Sequence, residues 1–212
     1  MQLTHLGHSC LLLEAEGVRI LIDPGTFATG FAELTGLDAV LVTHQHPDHV
    51  DVDALPQLLG NNPGARLVAD YMTATKLGDP WTPVSPGERF TVGPVRVRVE
   101  GGTHAVIHPD VPVIENVAYL FGTAAQPNHL LHPGDSFHVP EEPVAVLALP
   151  AGAPWLKIAE AVDYLRAVSP EVAVPIHQAV LAKPEMHYRL LEQLRPEHTE
   201  LRVLEHGVAS EV

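Results

Sequence analysis

Short apolar runs at residues 2–6, 10–15 and 18–22 open the chain, split by turn signals at Gly7 and at "EAEG", residues 14–17. Runs of that length between turn residues predict strands, and three in succession predict a meander. After a loop rich in Gly and Thr, "DPGTFATGFAELTG", comes "DAVLVT", residues 38–43. This run is almost continuously apolar, the pattern of a strand covered on both faces. "VDALPQLLG", residues 52–60, predicts a short helix stopped by Gly60, "RLVAD", residues 66–70, the next strand, and residues 71–77 a second short helix. "ERFTVGPVRVRVEGG", residues 88–102, alternates, with Val95, Val97 and Val99 on one face, as in a half-exposed antiparallel strand.

"NVAYLFGT", "NHLLH" and "VAVLALP" continue the strands at residues 116–123, 128–132 and 144–150. In "WLKIAEAVDYLRAV", residues 155–168, Ile158, Val162 and Leu165 stand at helical spacing and predict an amphipathic helix leaning on a sheet. "EVAVPIH", residues 171–177, reads as a buried strand. "PEMHYRLLEQL", residues 184–194, reads as a helix with Pro184 in its first turn, and "ELRVLEH", residues 200–206, as the last strand. No internal repeat is visible. Prolines and glycines are spread along the loops rather than gathered into a linker, so the expectation is one domain over residues 1–212, of class α/β (α+β). Two strand-rich halves, each with helices, suggest a sandwich of two sheets covered outside by helices.

Composition narrows the function. The chain carries 26 Asp and Glu against 12 Lys and Arg, a formal charge of −14. A surface of that sign repels phosphate backbones and anionic headgroups, which argues against nucleic acid as the main partner and for a small-molecule substrate. No apolar run approaches a membrane span, and "MQLTHLGHSC" lacks the features of a secretion signal, so a soluble, cytoplasmic protein without a membrane partner is expected. Cys10 is the single cysteine; in the apolar run "CLLLEA" it reads as a buried thiol rather than a nucleophile. Oligomeric state is not legible. The 14 histidines direct attention to metals.

"VLVTHQHPDHVD", residues 40–51, places three histidines and two aspartates behind an apolar strand. Residues two apart in extended chain share a side, so His44 and His46 can reach one ion from a stiff strand end. Pro47 can start a helix that swings Asp48 and His49 toward a second. Neutral imidazole and carboxylate suit zinc, and serve iron or manganese less selectively. Two ions need six or seven protein ligands. Three more apolar strands end in a suitable residue: "VEGGTH" in His104, "LLHPGD" in Asp135 and "VAVPIH" in His177.

With those residues in hand, the chain resembles the metallo-β-lactamase superfamily. The match is H-x-H-x-D-H read as His44, His46, Asp48 and His49, then His104, the "GD" aspartate Asp135 and the late His177. The opening "THLGHSCLLLEAEGVRILIDPG" resembles a branch of metal-dependent hydrolases similar to ascorbate-phosphate lactonase. The resemblance implies a four-layer αββα sandwich of two mixed sheets, with the site at one edge between them. It implies one ion on His44, His46 and His104, another on Asp48, His49 and His177, and Asp135 between. It further implies a metal-bridging hydroxide as nucleophile, with Asp48 orienting it.

Asp23, in "LIDPG", resembles an acceptor that fixes a ligand histidine's tautomer, and reads equally as a turn aspartate before proline. His8 resembles a residue near the site that donates a proton or binds substrate, against a surface turn histidine. His108, His132 and His138 flank the cluster and read better as solvated loop residues. His5, His129, His187, His198 and His206 read as surface or strand packing. Relatives often carry a polar Gly-Asp-Asn-like segment where this chain has "LPAGAPW", residues 149–155.

The leading expectation is a zinc-dependent hydrolase of a small ester, lactone or phosphoester. A nuclease, an oxygen-reducing di-iron protein and a non-catalytic metal binder are the other classes. The di-iron members usually carry glutamate where His46 stands and need a flavin partner domain. β-Lactamase activity is not implied by the superfamily name.

Overall fold

A computed structural model describes residues 1–212. The first half forms a sheet from β1 (Gln2–Gly7), β2 (Cys10–Ala15), β3 (Val18–Ile22) and β4 (Ala39–Val42). Helix α1 (Leu55–Asn61), β5 (Arg66–Asp70), α2 (Tyr71–Leu77) and β6 (Thr82–Val84) follow. The second sheet comprises β7 (Arg89–Val92), β8 (Val95–Gly101), β9 (Val117–Gly122), β10 (Leu130–His132) and β11 (Val146–Pro150). After α3 (Ile158–Val168) come β12 (Val172–Ile176), α4 (Pro184–Leu194) and β13 (Glu200–Leu201), and β14 (Ala209–Glu211) returns to the first sheet.

Both sheets have seven strands, in the orders β14-β1-β2-β3-β4-β5-β6 and β13-β12-β11-β10-β9-β8-β7. Each runs from an antiparallel meander into parallel strands. In the first, β1, β2 and β3 pair antiparallel, then β3 to β6 parallel. In the second, β7 to β10 pair antiparallel, then β10 to β13 parallel. Parallel pairing needs crossovers, which is where the helices lie.

The two-residue period of a strand explains the layers. On β4, Ala39 and Leu41 join the core between the sheets, with Leu13 and Ile20 from the first and Val97, Tyr119 and Val174 from the second. Val40 and Val42 face outward into a second core under α1 and α2, with Leu55, Leu58 and Trp81. A third core joins Leu147, Leu149 and Ala173 to Ala161, Val162 and Leu165 of α3 and Leu191 of α4. Helix, sheet, sheet, helix is the four-layer αββα sandwich, and Cys10 lies buried in it. No helix is long and apolar enough to cross a membrane.

Local differences from the sequence reading have physical causes. Residues 88–102 split into the hairpin of β7 and β8, because Gly93 takes a positive φ of 54° and turns the chain back. The short edge strands β6 and β14 carry too little periodicity to be seen, and β13 keeps only Glu200 and Leu201 of the run 200–206.

The strand ends place the site. Val117 N–H donates to the Thr43 carbonyl (3.0 Å) and Tyr119 O–H to that of Val42 (2.9 Å), so the second sheet grips the end of β4. His177 N–H donates to the His8 carbonyl (2.9 Å), tying the end of β12 to the first hairpin. Beside β4, Asp70 is fully buried where it caps α2, its Oδ1 accepting from Thr73 N–H (3.1 Å) while Oδ2 has no partner. Burial pushes this carboxyl up to about 6.

An unfolded aspartate ionises near 3.9, so the folded chain retains a proton that the unfolded chain has released. The contribution of Asp70 to stability is therefore fully present below about pH 4 and is lost as pH rises through 6. In Asp70→Asn, whose Oδ1 keeps the cap, this loss should vanish. Denaturant unfolding with chelator present should show the variant gaining about 2–3 kcal/mol on the wild type between pH 4 and 7; a constant difference would contradict the burial argument.

Candidate metal centre

The turn after β4 begins with Thr43 and His44, both fully buried. Asp23, at the end of β3, is also fully buried, and φ of 49° turns its side chain back toward them. Its carboxylate accepts from Thr43 N–H (2.7 Å), Thr43 O–H (2.8 Å) and His49 Nδ1–H (2.7 Å). The turn reading of Asp23 is thereby corrected: it binds the adjacent strand end and one imidazole. Two residues on, Gly25 lies so close to the Asp48–His49 backbone that a Cβ would collide with the Asp48 carbonyl. "LIDPG" is thus the bed on which the H-x-H-x-D-H turn rests.

The histidine tautomers follow from their partners. His44 Nδ1–H donates to Thr43 Oγ1 (3.1 Å), since that hydroxyl has given its own proton to Asp23. His104 Nδ1–H donates to the Ala105 carbonyl (2.5 Å) and His177 Nδ1–H to that of Gly152 (2.6 Å). Where the ring is neutral, with Nδ1 carrying the proton, Nε2 of His44, His49, His104 and His177 presents a bare lone pair. His44 Nε2 faces His46 Nδ1 at 3.1 Å.

All seven residues singled out in the sequence come together, although they belong to four segments. His44, His46, His104 and Asp135 form one group whose ligand atoms lie within 4.8 Å of one another; His8, Asp48, His49 and His177 form another. Asp135 touches both: Oδ1 lies 3.0 Å from His49 Nε2 and 3.1 Å from His177 Nε2, and Oδ2 lies 3.4 Å from His104 Nε2. His49 Nε2, His104 Nε2, His177 Nε2 and Asp135 Oδ1 are nonetheless buried without a hydrogen-bond partner, because these close approaches are misaligned for one. Buried polar atoms are almost always satisfied. Four unpaired atoms pointing into one space fit a cation, and their chemistry, imidazole nitrogen with carboxylate oxygen, fits a divalent transition metal.

Electrostatics agree that positive charge belongs here. Burial opposes a charge on His49, yet Asp135 and Asp23 at its two nitrogens hold its pKa well above the usual range. Burial likewise disfavours charge on Asp135, but the surrounding histidines keep it well below the ordinary carboxylate range. His44, without a carboxylate against either nitrogen, is pushed well down by burial and by the neighbouring His49.

His8 is fully buried, which corrects the surface alternative. Its Nδ1 accepts from Ala179 N–H (3.3 Å), so the proton sits on Nε2 and is donated to Asp48 Oδ2 (3.1 Å). Burial lowers its pKa to about 4, in keeping with a neutral ring. Asp48 lies at about 2: burial works against its charge, and the His8 hydrogen bond together with the neighbouring His49 and His177 outweighs it. His8 therefore meets its group by holding Asp48.

The solvated reading survives for His108, which is exposed, and fails for His132. His132 is fully buried, its Nε2–H donating to the Ser9 carbonyl (2.9 Å) and its Nδ1 accepting from Gly134 N–H (3.3 Å). His138 is partly buried, its Nε2–H donating to Glu100 (2.9 Å). His5 is buried and donates to the His8 carbonyl (2.9 Å), and His129 to the Val212 carbonyl (2.9 Å). His187 is partly buried, whereas His198 and His206 are exposed.

Sequence reasoning passed over Thr43, Asn116 and Trp155. Asn116 staples the "HPGD" turn, accepting from Asp135 N–H (2.9 Å) and donating to the Pro133 carbonyl (2.9 Å). Trp155 Nε1–H donates to Asp135 Oδ2 (2.8 Å), so "LPAGAPW" supplies a donor after all.

The model of the beta-lactamase superfamily domain matches residues 2–177. Protein Rv0786c of Mycobacterium tuberculosis is 59% identical over 182 residues, 86% of each chain. A UPF0173 metal-dependent hydrolase of Carboxydothermus hydrogenoformans is 29% identical over 84% of each. The solved structure of Igni18, a metallo hydrolase from Ignicoccus hospitalis, shares the fold with TM-score 0.74 at 24% identity, covering 100% of this chain and 98% of its own.

Asp23→Ala leaves Thr43 N–H, Thr43 O–H and His49 Nδ1–H without their acceptor. Unsatisfied buried donors cost about 1–3 kcal/mol each, and loss of a ligand-orienting partner costs about 10–100-fold in metal affinity. Thermal unfolding and competitive zinc titration should both register the change. A variant with wild-type stability and affinity would mean that Asp23 orients nothing.

Proposed function

This chain belongs to the beta-lactamase superfamily, in its branch of metal-dependent hydrolases, and from that premise we propose a binuclear zinc hydrolase of small neutral esters or lactones. The observation that carries it is the set of four buried, unpaired donor atoms on His49, His104, His177 and Asp135.

His44, His46 and His104 would hold one cation and Asp48, His49 and His177 the other, with Asp135 between the two groups. When bound, the cations supply Lewis acidity and bring the pKa of water toward neutrality. Asp48, whose carboxylate accepts from His8 Nε2–H, would accept and orient. His8 is a positioning residue: both its nitrogens are engaged, so it reaches substrate only through Asp48. Asp23 and the carbonyls of Ala105 and Gly152 fix the ring orientations before substrate arrives.

The rim favours a neutral substrate over a phosphoester. Phe27 is 50% exposed and meets His8 edge-on at 5.1 Å. Val180, 43% exposed, follows His177 in a 3₁₀ turn whose Ala179 N–H touches His8. Val106, 58% exposed, lines a cavity of about 480 Å³ with Trp155, beside His104. Exposed apolar side chains gathered at a site mark contact with an apolar ligand. The ion-pair partners of Asp48 and Asp135 are all histidines, with no Lys or Arg among them to serve a phosphate group.

Zinc-loaded protein should hydrolyse esters and lactones faster as the acyl chain lengthens, and bis-aryl phosphodiesters or single-stranded RNA poorly. Phe27→Ala should raise KM for the longest acyl substrate about tenfold, the worth of one partly buried aromatic contact. His46→Ala should abolish turnover. Inactivity of the loaded protein on every ester and lactone would remove the reading, and preferential cleavage of phosphodiesters would replace it with the nuclease class.

A further inference from the structure

We infer that Trp155 is a positioning residue that pre-sets the shared carboxylate of Asp135 for two cations, an assignment that rests on the binuclear reading above. The backbone of Asp135 is fixed by Asn116, which accepts its N–H at 2.9 Å. Its carboxylate head is a different matter, because rotation about a terminal sp³–sp² bond is soft. Oδ1 has no hydrogen bond, and the indole Nε1–H of Trp155, 2.8 Å from Oδ2, is the head's hydrogen-bond donor.

The head needs holding. Oδ1 stands 3.0 Å and 3.1 Å from the Nε2 atoms of His49 and His177, and Oδ2 stands 3.4 Å from that of His104. Where those nitrogens present lone pairs, their electrostatics push the carboxylate away unless a cation or proton lies between. A donor on Oδ2 opposes that rotation from the protein side. It leaves Oδ1 facing one group while Oδ2 faces the other.

The donor is itself braced. Trp155 is buried, its ring packing edge-on against Phe137 at 5.1 Å, and Phe137 against Tyr164 of α3 at 5.4 Å. Tyr164 O–H donates to the His138 carbonyl (2.7 Å), which closes the far end of the column. Aromatic contacts of this kind fix orientation as well as burying area. The column links helix α3 to Asp135, while the indole also lies edge-on to His104 and His177, with centroids 6.1 Å and 6.2 Å away.

The chain has two tryptophans, and the other, Trp81, is buried in the core beneath α1 and α2. Two indole N–H resonances therefore report separately in a ¹⁵N-labelled sample, with Trp155→Phe assigning them. Titrating the metal-free protein with zinc should shift the Trp155 resonance as the ions bind and leave that of Trp81 in place. Trp155→Phe keeps an aromatic ring in the column and removes only the donor. Metal-free, it should unfold close to the wild type, yet chelator competition should show affinity for at least one zinc reduced about 10–100-fold.

A wild type that binds two zinc ions with an unmoved Trp155 resonance overturns the inference, even should the variant fail to fold. So does a folded Trp155→Phe with unaltered affinities. In either case the binuclear reading stands. A wild type that binds no zinc defeats that reading first, and the inference with it.

Discussion

Lone pairs buried without partners are the constraint on which this molecule turns. His49, His104, His177 and Asp135 each direct an unpaired atom into the gap between the sheets. An orphaned buried polar group costs about 1–3 kcal/mol, and here several share one space. The rest of the fold keeps those atoms where they are. Thr43 and Asp23 fix the rings after β4, the carbonyls of Ala105 and Gly152 fix His104 and His177, and Asn116 and Trp155 hold Asp135. Asp23, His8 and His177 also sit at positive φ, a local cost of about 1–3 kcal/mol each that surrounding hydrogen bonds must offset.

Such a site calls for a rigid frame, and the sandwich supplies one. His44, His104, Asp135 and His177 each follow within three residues of a strand end, so the ligand-type residues are anchored by the sheets although the segments that carry several of them are long. The His177 N–H bond to the His8 carbonyl and the Tyr119 O–H bond to the Val42 carbonyl tie the sheets together beside the cluster. A displacement of either sheet would separate His44 from His177.

The layers are legible in the sequence because burial on both faces leaves an uninterrupted apolar run, as in Ala39–Val42, whereas a strand with one wet face alternates, as in β8. The short edge strands β6 and β14 carry no such pattern and are seen only when paired. Within the site, H-x-H-x-D-H announces itself because its members are neighbours. The surroundings do not. Asp23 looks like any aspartate before proline until Thr43 and His49 close on it, and His132 looks like a loop histidine until Ser9 proves to be its acceptor. Partners more than a hundred residues apart, such as His132 and Ser9, leave no local spacing to read.

Trp155 shows the same limit from the other side. "LPAGAPW" reads as a loss of polar groups because counting residue types treats tryptophan as apolar. Its indole has a single donor, and a buried tryptophan usually spends it on a partner. Here the partner is the carboxylate that both groups share. The ring thus supplies apolar surface toward the cavity beside Val106 and one hydrogen bond toward Asp135, so a single side chain couples that cavity wall to the carboxylate both groups share.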